Sequence, residues 1–263
     1  KNFKWTTDFI FSNAKNKVTE LKSDANVMSM ISGSGFALEG NPVRSLYSLN
    51  FQGLNKEGLP TFINEKGELT VTDINFQERE NKSHLVYEGS TDPTITGSFG
   101  NIFSYKGFKL NVFMTYSFGN VIRLDPVFHN AYSDLDATPR EFKNRWTVAG
   151  DEKITTVPVI ADLRQNTMNS YLNKAYNAYN YSTERIAKGD FIRMKEISVT
   201  YEFPKTMVSK LSLSNLSLKV QGTNLFLLYA DKKLNGQDPE FFNSGGVAVP
   251  VPKQFTLTLR LGI

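Results

Sequence analysis

A chain of 263 residues that is 40% hydrophobic and 13% aromatic can bury a sizeable core, yet its mean hydropathy is −0.33 and no run approaches the roughly eighteen apolar residues of a membrane helix. The 30 basic and 26 acidic residues leave a formal charge of +4 but are dispersed, which predicts no nucleic-acid stripe, and zero cysteines exclude a disulfide framework and thiolate metal sites. The opening KNFKWTTDFI has neither the apolar core nor the small-residue cleavage site of a signal peptide, so an exported protein of this sequence is expected to be mature or a fragment.

Along the chain, apolar and polar residues alternate again and again with the period of a strand, which turns successive side chains to opposite faces. NFKWTTDFIFSN (2 to 13) puts Phe3, Trp5, Thr7, Phe9 and Phe11 on one face and Lys4, Thr6, Asp8 and Ser12 on the other, with Ile10 the exception. The stretch 14 to 42, with ISGSGF and GNP, predicts no definite element. SLYSLNFQG (45 to 53) resumes the alternation and is expected to be a second wall strand. Residues 53 to 70 combine Gly, Pro and Asn with charges and read as a loop or hairpin outside the wall. After STDPTITG (90 to 97) come two strands joined by YKGF (105 to 108), where Gly107 can supply a turn. The first carries Phe99, Phe103 and Tyr105, with Asn101 breaking the apolar row; the second carries Phe108, Leu110, Val112, Met114, Tyr116 and Phe118 against Lys109, Asn111, Thr115 and Ser117. Residues 120 to 190 lose the alternation, and their mixture of aromatic, polar and charged residues predicts a long extracellular loop with some structure of its own.

The pattern returns at DFIRMKEISVTYEFP (190 to 204), with Ile197, Val199, Tyr201 and Phe203 opposite Glu196, Ser198, Thr200 and Glu202. Arg193 and Lys195 fall on the side of that apolar row, at its other end, where they reach lipid phosphates or sit above the membrane edge. NLSLKVQGTNLFLLYA (215 to 230) changes phase at Gly222 to Asn224, which predicts a bulge, and DKKLNGQDPEFFNSGGVAVPVP (231 to 252) is a loop. The last stretch, KQFTLTLRLGI, alternates strictly: Phe255, Leu257, Leu259, Leu261 and Ile263 against Gln254, Thr256, Thr258, Arg260 and Gly262. One face is wholly apolar and the length matches the roughly 9 to 11 residues of a tilted membrane strand. The reading is all-β: a transmembrane antiparallel β-barrel with seven wall strands here, and loops at about 54–94, 120–190 and 229–252. Barrels of one bacterial chain have an even number of strands and a periplasmic C-terminus, so an odd count is expected to mark the C-terminal part of a larger barrel.

Several stretches resemble one family. DFIRMKEISVTYEFP is similar to a signature of the SusC/RagA-type TonB-dependent outer-membrane transporters of Bacteroidetes, and VQGTNLFLLYADKKLNGQDPE (220 to 240) resembles the family's Gly-x-Asn-Leu segment followed by Gly-x-Asp-Pro-Glu. LYSLNFQGLNKEGLP (46 to 60), GSTDPTITGSFGNIFSYKGFKLNVFMTYSFGN (89 to 120) and NRWTVAGD (144 to 151) match further signatures in the same order. Two positions depart: Ile263 stands where a terminal Phe is usual, and Ser98 where a second Gly is frequent. The resemblance implies a 22-stranded barrel filled by an N-terminal plug, a SusD-like surface lipoprotein as a lid, and energy from the TonB complex acting on the plug. The plug and remaining strands would lie outside this chain, which would supply wall, lumen lining and loops for import of glycans or peptides.

Catalysis has little support, and no cofactor is implied. His84 and His129 lack metal-ligand spacing, and SGSGF (32 to 36) is not a nucleophile elbow. Asp134, Asp136 and Glu141 loosely resemble a calcium loop without its central Gly. Asp238 and Glu240 are ligand-contacting candidates, although Asp-Pro also starts turns. Tyr132, Phe142, Trp146, Tyr171, Tyr176, Tyr179 and Tyr181 can stack on sugar rings or peptide side chains, and loop-core packing explains them equally well; Tyr132 and Trp146 are the foremost candidates. A passive porin and a soluble all-β carbohydrate-binding domain are the alternative functions.

Overall fold

The computed structural model describes residues 3–22, 24–128, 139–242 and 250–263. In chain order, strand β1 (Phe3–Asn13) is followed by helix α1 (Val27–Ile31) and strands β2 (Ser45–Leu49), β3 (Phe51–Leu54), β4 (Pro60–Ile63), β5 (Leu69–Thr70) and β6 (Leu85–Ser90). A hairpin of β7 (Ile95–Tyr105) and β8 (Phe108–Phe118) comes next. Then come β9 (Val121–Arg123), α2 (Leu163–Met168), α3 (Leu172–Asn180), β10 (Ile186–Lys188), β11 (Phe191–Glu202), α4 (Lys205–Val208), β12 (Asn215–Ala230) and β13 (Gln254–Gly262). The chain forms two compact units: residues 1–14, 93–119 and 189–263, and residues 15–92 with 120–188.

The first unit is a six-stranded antiparallel sheet in the order β1-β7-β8-β11-β12-β13. Its register aligns the apolar residues of every strand into continuous rows. Phe3, Tyr105, Phe108, Tyr201, Leu218 and Leu259 share one row; Trp5, Phe103, Leu110, Val199, Val220 and Leu257 share the next. Farther along lie Phe9, Phe99, Met114, Met194 and Phe226, then Phe11, Gly97, Tyr116, Ile192 and Tyr229. The row between them holds Thr7 and Asn101, whose polarity is contained locally: Trp5 Nε1 and Thr7 Oγ1 both donate to Asn101 Oδ1, at 2.9 and 2.8 Å. The opposite face is mainly polar, with Ile10, Ile102, Phe113 and Leu227 among the apolar exceptions, and there Glu196 accepts from Asn111 Nδ2 and Ser198 Oγ at 3.0 and 2.9 Å.

Connections differ sharply between the two ends of the sheet. At one end β7 and β8 are joined by two residues, Lys106 (φ 45°) and Gly107 (φ 87°), the pair of positive φ angles that matches strand twist in a tight hairpin. The 203–214 connection from β11 to β12 is at that end too, and all three long excursions, 14–94, 119–190 and 231–253, leave from the other. Among the described residues β1 and β13 each pair on one side only.

Six of the expected wall strands are present in this sheet. The seventh, 45–53, is not in it: β2 is buried on both faces and pairs with β6 in the second unit, while β3 pairs with β4. Its alternation reflects burial of Tyr47 and Leu49 on one side and Leu46 on the other, so periodicity alone placed it wrongly. With six strands the parity reasoning lapses. Arg193 also moves. Lys195 is an extra residue relative to β8, between Met194 opposite Met114 and Glu196 opposite Phe113, and this bulge carries Arg193 onto the polar face. The irregularity continues into β12, where Asn224 has φ 51°, as the phase change at 222–224 predicts.

Both excursions that form the second unit fold around one core. Val27, Met30, Ile31, Tyr47, Leu49, Phe62 and Ile74 from 15–92 pack with Val127, Phe142, Val157, Ala178 and Tyr179 from 120–188. Asn180 secures the second excursion, its Oδ1 accepting from Val127 N and Phe128 N at 3.0 and 3.2 Å while Nδ2 donates to Phe128 O at 2.7 Å.

Gly97 tests the sheet's close packing. Tyr116 lies over it and donates to Ile10 O at 2.8 Å, and a Cβ there would stand 2.1 Å from Ile10 O and 2.4 Å from the Tyr116 hydroxyl. Gly97→Ala is expected to destabilise the barrel by about 1–3 kcal/mol, measured as a lower denaturant midpoint, whereas Tyr116→Phe loses only the hydrogen bond.

Candidate functional site

The long-connection end of the sheet carries the most tightly built polar cluster. Asp238 opens the short 3-10 turn Pro239–Phe241, where its Oδ1 accepts from Glu240 N at 3.1 Å, as the Asp-Pro pair predicts. The same oxygen accepts from Arg193 Nη2, and Arg193 Nε lies 3.3 Å from Glu240 Oε2. The guanidinium sits 5.5 Å over the Phe191 ring. Arg193 is 6% exposed, and the side chains of Asp238 and Glu240 are 10% and 43% exposed. Buried, paired and hydrogen-bonded, this group fastens the 231–242 loop to the wall. Asp238 is therefore occupied by Arg193, and Glu240 keeps a wet edge. The role was hidden because sequence spacing put Arg193 on the other face.

Trp146 is likewise engaged. Its indole Nε1 donates to Glu152 Oε2 at 3.2 Å, and its ring lies against Gly58, where an added Cβ would be 2.4 Å away. Asp151 Oδ2 accepts from Thr147 N, Thr147 Oγ1 and Val148 N at 3.0, 2.9 and 3.1 Å, and Glu152 Oε2 also accepts from Gly150 N at 2.7 Å. Those donors hold both carboxyls below the ordinary carboxylate range. NRWTVAGD is thus a self-capped turn that seats an indole.

The other aromatic candidates divide by burial. Phe142 and Tyr179 are in the core, Tyr176 donates to Val159 O at 2.8 Å, and burial raises both tyrosine hydroxyls. Tyr181 lies under the Arg123 guanidinium at 5.6 Å. Arg123 donates to Tyr47 O at 2.6 Å, and burial pulls it down to about 10, with Glu88 opposing. Arg185 pairs with Glu141 at 2.5 Å and donates to Asp125 O at 2.6 Å, so Glu141 serves an internal ion pair. Tyr171, 68% exposed with φ 68°, is the aromatic that remains open, with Lys174 Nζ 5.1 Å over its ring. Tyr132, Asp134, Asp136 and His129 lie outside the described residues. His84 is buried, and desolvation lowers its pKa. Among the described residues no group of three or more His, Cys, Asp or Glu is placed to hold a metal ion.

On the closing strand, Phe255, Leu257, Leu259, Leu261 and Ile263 are all exposed, Phe255 and Leu257 at 77% and 70%. An apolar surface continuous across six strands is far more than a soluble monomer leaves in water.

No protein-family model matches the chain. It is 25% identical over 256 residues to TonB-dependent receptor P3 of Formosa agariphila, covering 91% of this chain and 23% of the receptor. TonB-dependent receptor P39 of the same organism is 25% identical over 316 residues, covering 100% and 28%. The solved RagAB peptide transporter superposes with a TM-score of 0.71 at 20% identity, over 100% of this chain and 28% of that one. The RagAB peptide importer in its open-open state gives 0.71 at 21% identity, over 100% and 27%. The chain is similar to a segment of TonB-dependent receptors and has the fold of the matching RagAB barrel segment. It spans roughly a quarter of the length of the relatives it matches. Its signatures acquire physical roles: DFIRMKEISVTYEFP is the bulged strand β11, GQDPE the carboxylates that hold Arg193, and NRWTVAGD the Trp146 turn.

Two outcomes follow for the segment. Arg193→Leu is expected to cost about 3–5 kcal/mol by stranding Asp238, while the double change with Asp238→Leu costs less than the single one; a double-mutant cycle by denaturant unfolding, with hydrogen exchange at 231–242, reads this. The Asp151 and Glu152 carboxyls have folded pKa values below their unfolded ones, so their contribution is complete above the unfolded values and is lost as pH falls through the folded ones. In a Trp5→Phe background, Trp146 fluorescence is expected to hold through the ordinary carboxylate range and to shift only once pH falls below it.

Proposed function

We propose that this segment forms wall, lumen lining and extracellular loops of a TonB-dependent importer of oligomeric nutrients. The observation that carries the proposal is the two-faced sheet: rows of exposed apolar side chains on one side, polar side chains on the other, and every long excursion at one end. Aromatic residues concentrate at both ends of the apolar face. Phe108 and Tyr201 stack at 4.5 Å and Tyr201 meets Phe203 at 4.8 Å near the short turns; Phe9 and Tyr116 (6.3 Å) and Tyr116 and Phe118 (5.7 Å) pair near the long connections. From Phe108 to Phe118 a strand rises about 33 Å, which a tilt of about 40° reduces to about 25 Å, the height of the apolar band of an outer-membrane barrel. The closing-strand row from Phe255 to Ile263 faces lipid in this reading, and the polar face lines the lumen. The unpaired edges of β1 and β13 need neighbouring strands, because a bilayer offers backbone groups no partner.

The remaining strands and plug are the first partners. A SusD-like lipoprotein meets the loops, which include the candidates Tyr132, Trp146, Asp238 and Glu240, and the TonB complex acts through the plug. The solved proteins of this fold are described as peptide transporters, which supports oligopeptide cargo, with glycans the second class. Uptake of labelled oligopeptide or oligosaccharide by cells carrying the complete transporter is expected to stop when TonB is deleted. Uptake that persists, with ligand-independent conductance in planar bilayers, supports a passive porin instead. The membrane orientation has its own test: Val112→Arg, at mid-depth, is expected to cost about 2–4 kcal/mol and Phe118→Arg about 0–1, read from unfolding in lipid.

A further inference from the structure

On the polar face, register brings together residues that are far apart in sequence. Lys4 lies opposite Ser104, Ser104 opposite Lys109, Lys109 opposite Thr200, Thr200 opposite Lys219, and Lys219 opposite Thr258. One level of the sheet is thus a row of alternating lysines and hydroxyls across all six strands. Neighbouring strands are about 4.8 Å apart, so the lysines, on every second strand, stand about 10 Å apart at their backbones. That is close to the screening length at physiological salt, and their fields overlap.

The row carries no acid of its own. Lys4 and Lys109 are exposed and make no ion pair among the described residues. Lys219 Nζ lies 3.6 Å from Glu196, a carboxylate already bonded by Asn111 and Ser198. The other charges of this face are segregated by level. Glu202 and Arg260 balance one another in the row nearer the short turns, and Asp8 and Glu196 share a row two levels nearer the long connections. A positive belt, ion-paired at Lys219 alone among the described residues, therefore crosses the sheet between a balanced row and an acidic one. A plain solvated surface intersperses its signs; this one sorts them.

We propose, on the reading that this face lines the import lumen, that the lysine-hydroxyl row is an anion-guiding belt that favours cargo bearing carboxylates over neutral cargo of the same size. Rings of Lys or Arg select anions in pores by the same field, and the intervening Ser and Thr hydroxyls can donate to a carboxylate between two ammonium groups.

The test uses the complete transporter in cells and two labelled peptides of equal length, one alternating Glu and Gly and the other Gln and Gly. Wild type is expected to import the acidic peptide several-fold faster, with a preference that shrinks as salt rises. In the triple variant Lys4→Gln, Lys109→Gln, Lys219→Gln the ratio is expected to fall toward one with neutral uptake unchanged, and the corresponding triple change to Arg is expected to keep the preference. Heat-resistant migration of the folded barrel on a gel checks that each variant is assembled. An unchanged ratio in the Gln variant, or a wild type without preference, overturns the belt and leaves the importer standing. Parallel loss of both peptides in a folded Gln variant also overturns it, since the row then seats another part of the protein. A wild type that takes up neither peptide overturns the importer reading together with the belt.

Discussion

The structure depends on one constraint: where water is absent, every backbone N–H and C=O needs a partner within the protein, and alternate side chains must face opposite solvents. The six-stranded sheet meets both demands at once, because its register lines up apolar residues from strands as distant in sequence as Phe3 and Leu259. Asn101 shows how closely the demand is met. The polar side chain in the apolar rows finds the Trp5 indole and the Thr7 hydroxyl on the adjoining strand and is left 8% exposed.

What cannot lie in the sheet folds elsewhere, and the two long excursions do so together. Their core is shared: Val27, Tyr47 and Phe62 from the first pack with Phe142 and Tyr179 from the second. Two charged groups of this unit are tied down within it, Arg185 with Glu141 in an ion pair and Asp151 as a cap on the backbone at Thr147. The result is a unit with a core of its own.

The wall was legible because a strand of nine or more residues with period-two alternation has few other readings, and five wall strands besides the closing one were placed from that signal. The stretch 45–53 carries the same signal for another reason: a strand buried on both faces also alternates when its small residues happen to fall in phase, as Ser48 does between Tyr47 and Leu49. Arg193 was misplaced because a bulge inverts every side chain beyond it, and a single extra residue at Lys195 leaves no mark in composition. Asp238 was visible as a turn former, but its partner lies 45 residues away, and nothing local announces the pairing. Trp146 was visible as an aromatic and not as a buttress, since its contact with Gly58 joins two separate excursions.

The shared core of the excursions has a consequence for assembly. The β7–β8 hairpin lies between them in sequence, so the chain segments before and after that hairpin must meet before the second unit can exist. Contacts such as Val27 with the Tyr179 neighbourhood close a loop that contains the whole hairpin, and such long closures are slow to form. Once made, they act as a clasp around the hairpin's two ends. A strand pair that on its own could slip in register thus has the chain segments on both sides of it tied into one core.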